Sequence, residues 1–352
     1  MGGNCDSIKL QLQQTQLSFQ QPAFKDKLRV MSDVLVIGAG PAGLYAAYYA
    51  GFRGFTVTVL DVLTEPGGQI TAMYPEKEIF DIAGFPAVKG RDLVDGLMKQ
   101  AGAFNPTFIL GERAEELETS EAGPVRVVTD KGTVIEAKVA IITGGIGSFT
   151  PRELPAGNEY VGKGLVYFVP KLDVHAGKDV VIIGGGDSAF DWAYSLAPIA
   201  KSVTLVHRRD TFRAHAATVD QVRAMGVELI INSEVESVAG DDWVESVTIK
   251  NKEGESRTLP AQTLVAALGF IANIGPIANW GIELEKRRIL VDTTMKTNLP
   301  RVYSAGDITT YVGKVPLISV GFGEAGLAVN NSVPYIDEHQ GVFPGHSSGG
   351  GE

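Results

Sequence analysis

Blocks of apolar residues alternate along the chain with glycine-rich turns and with stretches of small residues. Residues 33–61, "DVLVIGAGPAGLYAAYYAGFRGFTVTVLD", contain an apolar run, a glycine-rich turn, a stretch rich in alanine and tyrosine, and a second apolar run that ends in an acid. A short apolar run bounded by turn residues is typical of a buried strand, and a longer stretch of small residues favours a helix. This segment is therefore predicted to be a β-α-β unit.

The turn in this unit has the spacing of a dinucleotide-binding site. Gly38, Gly40 and Gly43 fit the pattern G-x-G-x-x-G, and Asp61 ends the second predicted strand. The first glycine permits the tight turn, the second lets a pyrophosphate approach the backbone, and the third lets helix and strand pack closely. A carboxylate at the strand end accepts hydrogen bonds from a ribose, so this unit is predicted to bind a cofactor with free ribose hydroxyls.

The same pattern returns in "KDVVIIGGGDSAFDWAYSLAPIAKSVTLVHRR", where Gly184, Gly186 and Ala189 fit the variant G-x-G-x-x-A. Here the second strand ends in cationic side chains, which are His207, Arg208, Arg209 and, a few residues later, Arg213. Cations bind a phosphate on the ribose 2′-oxygen, whereas a carboxylate repels it. The second unit is therefore predicted to bind NADP(H), with a merely solvated strand end as the alternative.

Two dinucleotide units in one chain indicate two nucleotides that meet face to face. FAD with a nicotinamide is the usual pair, because a flavin accepts a hydride and passes the electrons onward. A later segment, "ILVDTTMKTNLPRVYSAGDITTY", predicts a strand and a turn at Asp307, and "SVGFGEAGLAVNN" then opens a helix. A helix N-terminus suits a flavin, and Asp307 suits its ribityl or phosphate region; the alternative role for Asp307 is that of a helix cap.

Length and composition limit the class of protein. The 352 residues suffice for about two domains, and the net charge of −10 argues against a protein that coats nucleic acid. The single cysteine, Cys5, allows no disulfide framework, and no apolar run is long enough to span a membrane. The protein is expected to be soluble and cytoplasmic, with residues 1–30 as an extension outside the fold.

Several segments in one order resemble the two-dinucleotide-domain flavoproteins, and among them the thioredoxin-reductase-like ferredoxin–NADP⁺ reductases. These segments are "GPAGLYAAYYAGFRG", "EPGGQITAMYPEKEIFDIAGFP", "IIGGGDSAFDW", "VTLVHRRDTFRAH", "IGPIANWG", "YSAGDITTYVGKVPLI", "GFGEA" and "FPGHSS". The resemblance covers about residues 33–350 and implies an α/β fold of three-layer type with two Rossmann-like domains, one for FAD and one for NADPH. It implies a discontinuous FAD domain (31–150 and 280–336), an NADPH domain (151–279) and a C-terminal tail (337–352).

Thioredoxin reductases carry Cys-x-x-Cys just before the second glycine turn. The matching stretch here, "GLVYFVPKLDVHAGK", contains no cysteine. A disulfide relay needs two thiols, so reduced flavin is expected to pass its electrons directly to an external acceptor.

The resemblance also assigns roles to single residues. For FAD, it implies Asp61 on the adenosine ribose, Gln69 and Tyr74 beside the flavin, the Ala114 backbone on the adenine side, Phe149 near the domain hinge and Asp307 on the central part. For NADP, it implies Arg208 and Arg213 on the 2′-phosphate and Arg209 on the pyrophosphate or phosphate edge. The flat ring of Tyr74 can stack on one flavin face; the alternative is a surface tyrosine.

By composition, the C-terminal tail would be a disordered segment. The resemblance instead implies that the tail carries His346 over the other flavin face, with Ser348 as a neighbouring polar contact. Because this tail often reaches from the partner subunit in such reductases, a homodimer is expected.

The expected reaction is hydride transfer between NADPH and FAD, followed by transfer of single electrons to ferredoxin or flavodoxin. No conventional general base is needed for the hydride step, since the chemistry depends on stacking the two rings. Two alternatives stay open at this point. One is an NADPH-dependent flavin reductase that serves another acceptor, such as a quinone, and the other is a flavin-binding protein without turnover.

Overall fold

The computed structural model describes residues 28–145, 147–343 and 345. Its helices are α1 (Pro41–Phe52), α2 (Gln69–Met73), α3 (Gly90–Gly102), α4 (Asp187–Leu196), α5 (Ala216–Ala224) and α6 (Ile318–Ile336). Its strands up to the second glycine turn are β1 (Arg29–Ile37), β2 (Val57–Asp61), β3 (Glu78–Ile79), β4 (Val88–Lys89), β5 (Thr107–Leu110), β6 (Ala114–Glu118), β7 (Val125–Thr129), β8 (Val134–Ile142), β9 (Ser148–Pro151), β10 (Leu165–Val166) and β11 (Asp179–Gly184). The later strands are β12 (Ser202–Val206), β13 (Glu228–Ile230), β14 (Ser233–Ala239), β15 (Ser246–Asn251), β16 (Ser256–Pro260), β17 (Thr263–Ala267), β18 (Phe270–Asn273), β19 (Leu284–Glu285), β20 (Arg288–Leu290), β21 (Val302–Ser304) and β22 (Thr309–Thr310).

The first sheet has the order β5-β2-β1-β8-β7-β6, and β21 pairs in parallel with β8. The pairs β1–β2, β1–β8 and β2–β5 are parallel, while β6 and β7 continue the sheet as antiparallel strands. Residues Val34–Val36 are fully buried, as expected for a strand covered on both faces. The helix α1 contacts both α3 and α6 beside this sheet.

The second sheet has the order β10-β17-β11-β12-β13, and all its pairs are parallel. The helix α4 packs on β11 and β12 through Ala189, Phe190 and Ala193, which are fully buried. A three-stranded antiparallel sheet, β14-β15-β16, extends this unit. The predicted α/β fold with two dinucleotide-binding units is confirmed.

The chain crosses twice between the two units, through β9 and β18, which pair with each other as an antiparallel ribbon. The strands of the first sheet come from residues on both sides of this ribbon, since β21 follows the second unit in sequence. The predicted domain boundaries stay a prediction.

The first strand begins two residues inside the expected extension. Arg29 and Val30 pair with Val134 and Ile135 of β8, and Arg29 forms a 2.6 Å ion pair with Glu136. The early start of β1 was not predicted, because Arg29 and Ser32 interrupt the apolar run. No helix in the described ranges is both long and apolar enough to cross a membrane.

Candidate functional site

A cavity of about 400 Å³ lies at the carboxyl ends of the strands of the first sheet. The strands β1, β2, β8 and β21 all end beside it, which is where open α/β sheets bind nucleotides. Its walls include these residues that were predicted for FAD: Gly38, Gly40, Asp61, Gln69, Tyr74, Ala114 and Asp307. The fold thus brings together residues that stand far apart in the sequence.

The three glycines of the first glycine turn have different roles. Gly38 has φ +117°, a conformation that side chains rarely adopt. A Cβ on Gly43 would lie 1.8 Å from the carbonyl oxygen of Gly38, whereas one on Gly40 would meet no protein atom within 4 Å. Gly40 therefore leaves room for a ligand, and Gly43 serves the packing of α1 on β1 and does not line the cavity.

At one end of the cavity, Asp61 is held by the backbone. Its Oδ2 accepts a 2.5 Å hydrogen bond from the amide of Ala39, and its Oδ1 accepts one of 2.8 Å from the amide of Leu63. Burial raises the pKa of Asp61, while these two hydrogen bonds oppose the rise. The amide of Glu112 bonds to the Asp61 carbonyl and brings Ala114 beside it. Each carboxylate oxygen has a further lone pair for a ribose hydroxyl.

The other end of the cavity is built by Gln69, Tyr74 and Asp307. Both Tyr74 and Asp307 line the cavity, and burial, and then the charge of Asp307, raise the pKa of Tyr74. The ring of Tyr74 packs against apolar residues of both units. Tyr74 is therefore not a surface tyrosine. Asp307 is also not a helix cap, because the N-cap of α6 is Leu317, ten residues after Asp307.

The two units contact each other close to Tyr74. Lys77 Nζ lies 5.9 Å from the centre of the Tyr74 ring and 2.5 Å from Oδ2 of Asp191, which belongs to α4 of the second unit. The ribbon β9–β18 leads directly into the cavity wall, since Asn273, Ile274 and Gly275 line it. The hinge was predicted near Phe149, which lies in this ribbon, but the contact of residues 273–275 with the cavity was not predicted.

The second glycine turn has the same division of roles. A Cβ on Gly184 would lie 2.5 Å from the Ala267 carbonyl oxygen and 2.9 Å from Cβ of Ala189, whereas Gly186 has no protein atom near the corresponding position. Gly186 precedes α4, whose N-terminus carries free amides and a positive dipole. A pyrophosphate therefore has space and hydrogen-bond donors at this turn.

The cationic cluster lies against this turn. The ring of His207 packs over Gly185, and the amide of Arg213 donates a 2.7 Å hydrogen bond to the Gly185 carbonyl. Burial, opposed by a backbone hydrogen bond and aided by the charges of Arg208, Arg209 and Arg213, lowers the pKa of His207. The three arginines are exposed, and within the described chain none of them forms an ion pair. Their charges are available to an anion.

Three residues predicted for the FAD site have no described side chain. Phe149 pairs through its backbone with Ala272 in the ribbon. His346 and Ser348 lie outside the described residues, and their roles stay predictions.

A protein with two dinucleotide-binding units and a cavity of this kind is a pyridine-nucleotide-linked flavoprotein. The chain belongs to the pyridine nucleotide-disulphide oxidoreductase family, whose family model matches residues 32–328.

Curated relatives with the name ferredoxin–NADP reductase match nearly their whole length. The protein from Nocardioides sp. is 59% identical over 321 residues, with 90% of this chain and 97% of that protein covered. The one from Thermus thermophilus is 47% identical over 324 residues, with 90% and 96% covered. Among solved structures, thioredoxin reductase from T. acidophilum matches with a TM-score of 0.73 at 28% identity and covers 88% of this chain and 99% of its own. The present chain has one cysteine and so lacks the thiol pair of a disulfide relay.

Proposed function

We propose that this protein is a ferredoxin–NADP⁺ reductase that transfers a hydride between NADPH and FAD and single electrons between FAD and ferredoxin. The observation that carries this proposal is the cavity at the strand ends of the first sheet, which brings the predicted FAD contacts together beside a second unit with a free arginine cluster. The names of the relatives agree with this activity.

The residues around the cavity fit FAD. Asp61 would accept hydrogen bonds from the adenosine ribose, the N-terminus of α1 behind Gly40 would face the pyrophosphate, and Tyr74 would stack on the isoalloxazine ring. When bound, FAD supplies a group that takes up two electrons as a hydride and releases them one at a time. The chain's own task is to bind, orient and shield it, so no side chain is assigned as a general base.

The second unit would hold NADPH with its 2′-phosphate on Arg208 and Arg213 and Arg209 at the edge of the phosphates. The turn at Gly184 and Gly186 would hold the pyrophosphate. Hydride transfer requires the nicotinamide to reach the flavin, and the ribbon β9–β18 is where the units can rotate against each other. The ion pair between Lys77 and Asp191 would then form and break as the units move.

Anaerobic titration with NADPH, followed by ferredoxin-coupled electron transfer, tests the proposed function. We expect a yellow protein whose flavin absorption is bleached by NADPH and restored by oxidised ferredoxin. A flavin that NADPH does not reduce would identify a binding protein without turnover. Reduction by NADPH with a higher specificity constant for a quinone than for ferredoxin would identify a different reductase.

The C-terminal tail is proposed to act across a homodimer. The guanidinium group of Arg53, at the end of α1, donates hydrogen bonds to the carbonyls of Gly341 (2.8 Å) and Val342 (3.1 Å). The cavity lies at the other end of α1, about 18 Å away for a helix of this length. Two residues lie between Phe343 and His346, so the three Cα-to-Cα steps from one to the other span at most about 11 Å. A tail held at Arg53 is therefore too short to bring His346 to the flavin of its own chain, which supports a role at the flavin of a partner.

An exposed apolar surface beside this anchor supports self-association. Phe52 and Phe104 are each 40% exposed, and their rings contact each other in an edge-on arrangement. Exposed aromatic pairs of this kind are typical of protein interfaces. We place the dimer in the cytoplasm, where reduced nicotinamide is available.

A further inference from the structure

An ion pair lies fully buried behind the flavin end of the cavity. Lys314 Nζ contacts Glu324 Oε1, and each side chain is only 3% exposed. Lys314 belongs to the loop before α6, and Glu324 lies in the second turn of that helix. Sequence analysis noted both residues within motifs but assigned neither of them a role.

The two members of this pair bind the two peptide groups on either side of the Gly306 Cα. The amide of Gly306 donates a 2.8 Å hydrogen bond to Glu324 Oε2, and the Gly306 carbonyl accepts one of 3.0 Å from Lys314 Nζ. The hydroxyl of Thr309 donates a further hydrogen bond of 2.7 Å to the same carbonyl. Gly306 lines the cavity and directly precedes Asp307. The ion pair thus clamps the turn that presents Asp307.

The clamp is completed by Tyr311, whose hydroxyl donates a 2.6 Å hydrogen bond to Glu324 Oε1. Burial, and then this hydrogen bond and the charge of Glu324, raise the pKa of Tyr311 to about 12. The hydroxyl therefore remains a donor at any physiological pH. Both oxygens of Glu324 are then occupied by described partners.

The turn has little freedom to relax around this clamp. Gly306 has φ +83°, and a Cβ there would lie 3.1 Å from Cβ of Ala42 in α1. A Cβ on Gly321 of α6 would come within 3.4 Å of the Gly306 Cα. The turn therefore lies between the starts of α1 and α6, whose N-termini face the cavity. A small rotation of the backbone at Gly306 would change which backbone groups face the cofactor.

Burial of two opposite charges is a poor way to stabilise a fold, because desolvation offsets their attraction. Apolar side chains of similar size would serve stability as well or better. What apolar side chains cannot do is form hydrogen bonds to the Gly306 amide and the Gly306 carbonyl, and so fix the two peptide groups that flank this residue. The consequence of this ion pair is thus positional.

We propose that Lys314 and Glu324 are positioning residues for FAD, which fix the backbone on both sides of Gly306 so that the turn and Asp307 face the central part of the cofactor. This inference rests on the proposed function, since it requires FAD in the cavity. Neither residue lines the cavity, so both act through Gly306.

The test compares flavin binding with fold stability. Apoproteins of the variants Lys314→Met, Glu324→Gln and the double variant Lys314→Met/Glu324→Met are titrated with FAD, and their thermal unfolding is recorded without FAD. We expect each single variant to weaken FAD binding at least tenfold and to change the absorption envelope of the bound flavin. The double variant should regain the unfolding temperature of the wild type without regaining its affinity.

Two further variants make the result unambiguous. Tyr311→Phe removes only one hydroxyl, so it should fold and weaken FAD binding a few-fold. Asp179→Asn alters a buried carboxylate of the second unit, which pairs with Lys201, and should lower the unfolding temperature while leaving FAD affinity unchanged.

Affinity that returns with stability in the double variant would show a structural role only and would overturn the inference. Unchanged affinity and spectrum in all variants would overturn it as well. A wild-type protein that takes up no FAD would reject the proposed function together with this inference, so the two failures are distinguishable.

Discussion

At the scale of single residues, the preference for NADPH is proposed to depend on arginines that form no ion pair within the described chain. Arg208 and Arg213 are exposed beside the second glycine turn, and their positive charges contribute to lowering the pKa of His207. Removal of an exposed arginine that has no carboxylate partner should leave the free energy of unfolding unchanged. The effect of the substitution should therefore appear in ligand binding alone.

We expect the double variant Arg208→Ala/Arg213→Ala to raise the KM for NADPH by roughly 100-fold or more, since each hydrogen bond to a charged group contributes about 1.5–3 kcal/mol. The KM for NADH should change little, because NADH has no 2′-phosphate. Steady-state kinetics with both nucleotides measure this. The control is Arg223→Ala, which removes an exposed arginine of α5 that pairs with Asp220. Equal losses with both nucleotides would contradict the assignment.

The first glycine turn offers a second test at this scale, because Gly40 and Gly43 differ in what a methyl group would meet. Gly43→Ala places Cβ 1.8 Å from a backbone oxygen, so it should destabilise the fold strongly or prevent it. Gly40→Ala meets no protein atom, so the apoprotein should unfold as the wild type does but bind FAD at least tenfold more weakly. Thermal unfolding of the apoproteins and FAD titration separate the two effects. Similar stability of both variants would refute the division of roles.

At the scale of elements, periodicity and turn chemistry were sufficient to predict both β-α-β units. The apolar runs at β1, β2, β11 and β12 are short, and glycines or small residues separate them from helices, so only a parallel sheet accommodates them. The start of β1 was not predicted, because pairing with β8 and the ion pair to Glu136 outweigh the polar residues Arg29 and Ser32.

Contacts between distant elements were beyond prediction from local pattern. Lys77 and Asp191 meet only because the second unit docks near Tyr74, and Lys314 and Glu324 meet only because α6 returns beside β21. Lysines and carboxylates are common, and nothing in their spacing distinguishes a buried pair from a solvated one. The glycine and arginine motifs were recognisable because their spacing follows from the chemistry of the phosphate itself.

The ribbon between the units gives a prediction at this scale. Gly147 precedes β9 with φ +76°, and a Cβ there would lie 2.1 Å from the carbonyl oxygen of Asn273. We expect Gly147→Ala to distort the ribbon and to slow flavin reduction by NADPH in stopped-flow measurements, because rotation of the units passes through this segment. NADPH binding should be unaffected, since the second unit is unchanged.

Gly269 is the matched control for this substitution, because it has φ +82° at the other crossing but open space around it. Gly269→Ala should cost only the strain of a left-handed residue, about 1–2 kcal/mol of folding free energy, and leave the rate of flavin reduction unchanged. Equal rates of flavin reduction in the Gly147→Ala and Gly269→Ala variants would show that movement of the ribbon is not part of the catalytic cycle.

At the scale of the whole molecule, the C-terminal tail is proposed to act between two chains. Arg53 is buried, and its guanidinium group is shared between Asn330 of α6 and the backbone of residues 341–342. Burial lowers the pKa of Arg53, although it remains charged at physiological pH. A buried cation that holds backbone carbonyls fixes the direction in which the following residues leave.

Truncation after His339 should therefore leave the fold and FAD binding intact, because Asp61 and Asp307 belong to the cavity of the same chain. We expect a changed flavin absorption envelope and a changed rate of flavin reduction, since His346 and Ser348 would no longer cover the ring. Arg53→Ala in the full-length chain should change the spectrum in the same direction by releasing the tail. Sedimentation analysis should show a dimer for the full-length protein at micromolar concentration.

A hybrid dimer tests whether the tail acts across the interface. Truncated chains are combined with full-length Gly40→Ala chains, which are expected to bind FAD at least tenfold more weakly. FAD is supplied below the concentration of truncated chains, so most of the bound flavin belongs to chains without a tail. If the tail acts in trans, the full-length partner covers that flavin, and the hybrid regains the spectrum and the reduction rate of the wild type. If it acts in cis, the hybrid behaves like the truncated homodimer. Removal of a ring stacked on the flavin must alter both the flavin spectrum and the reduction kinetics. If truncation changes neither of them, the tail is the disordered segment that its composition predicts.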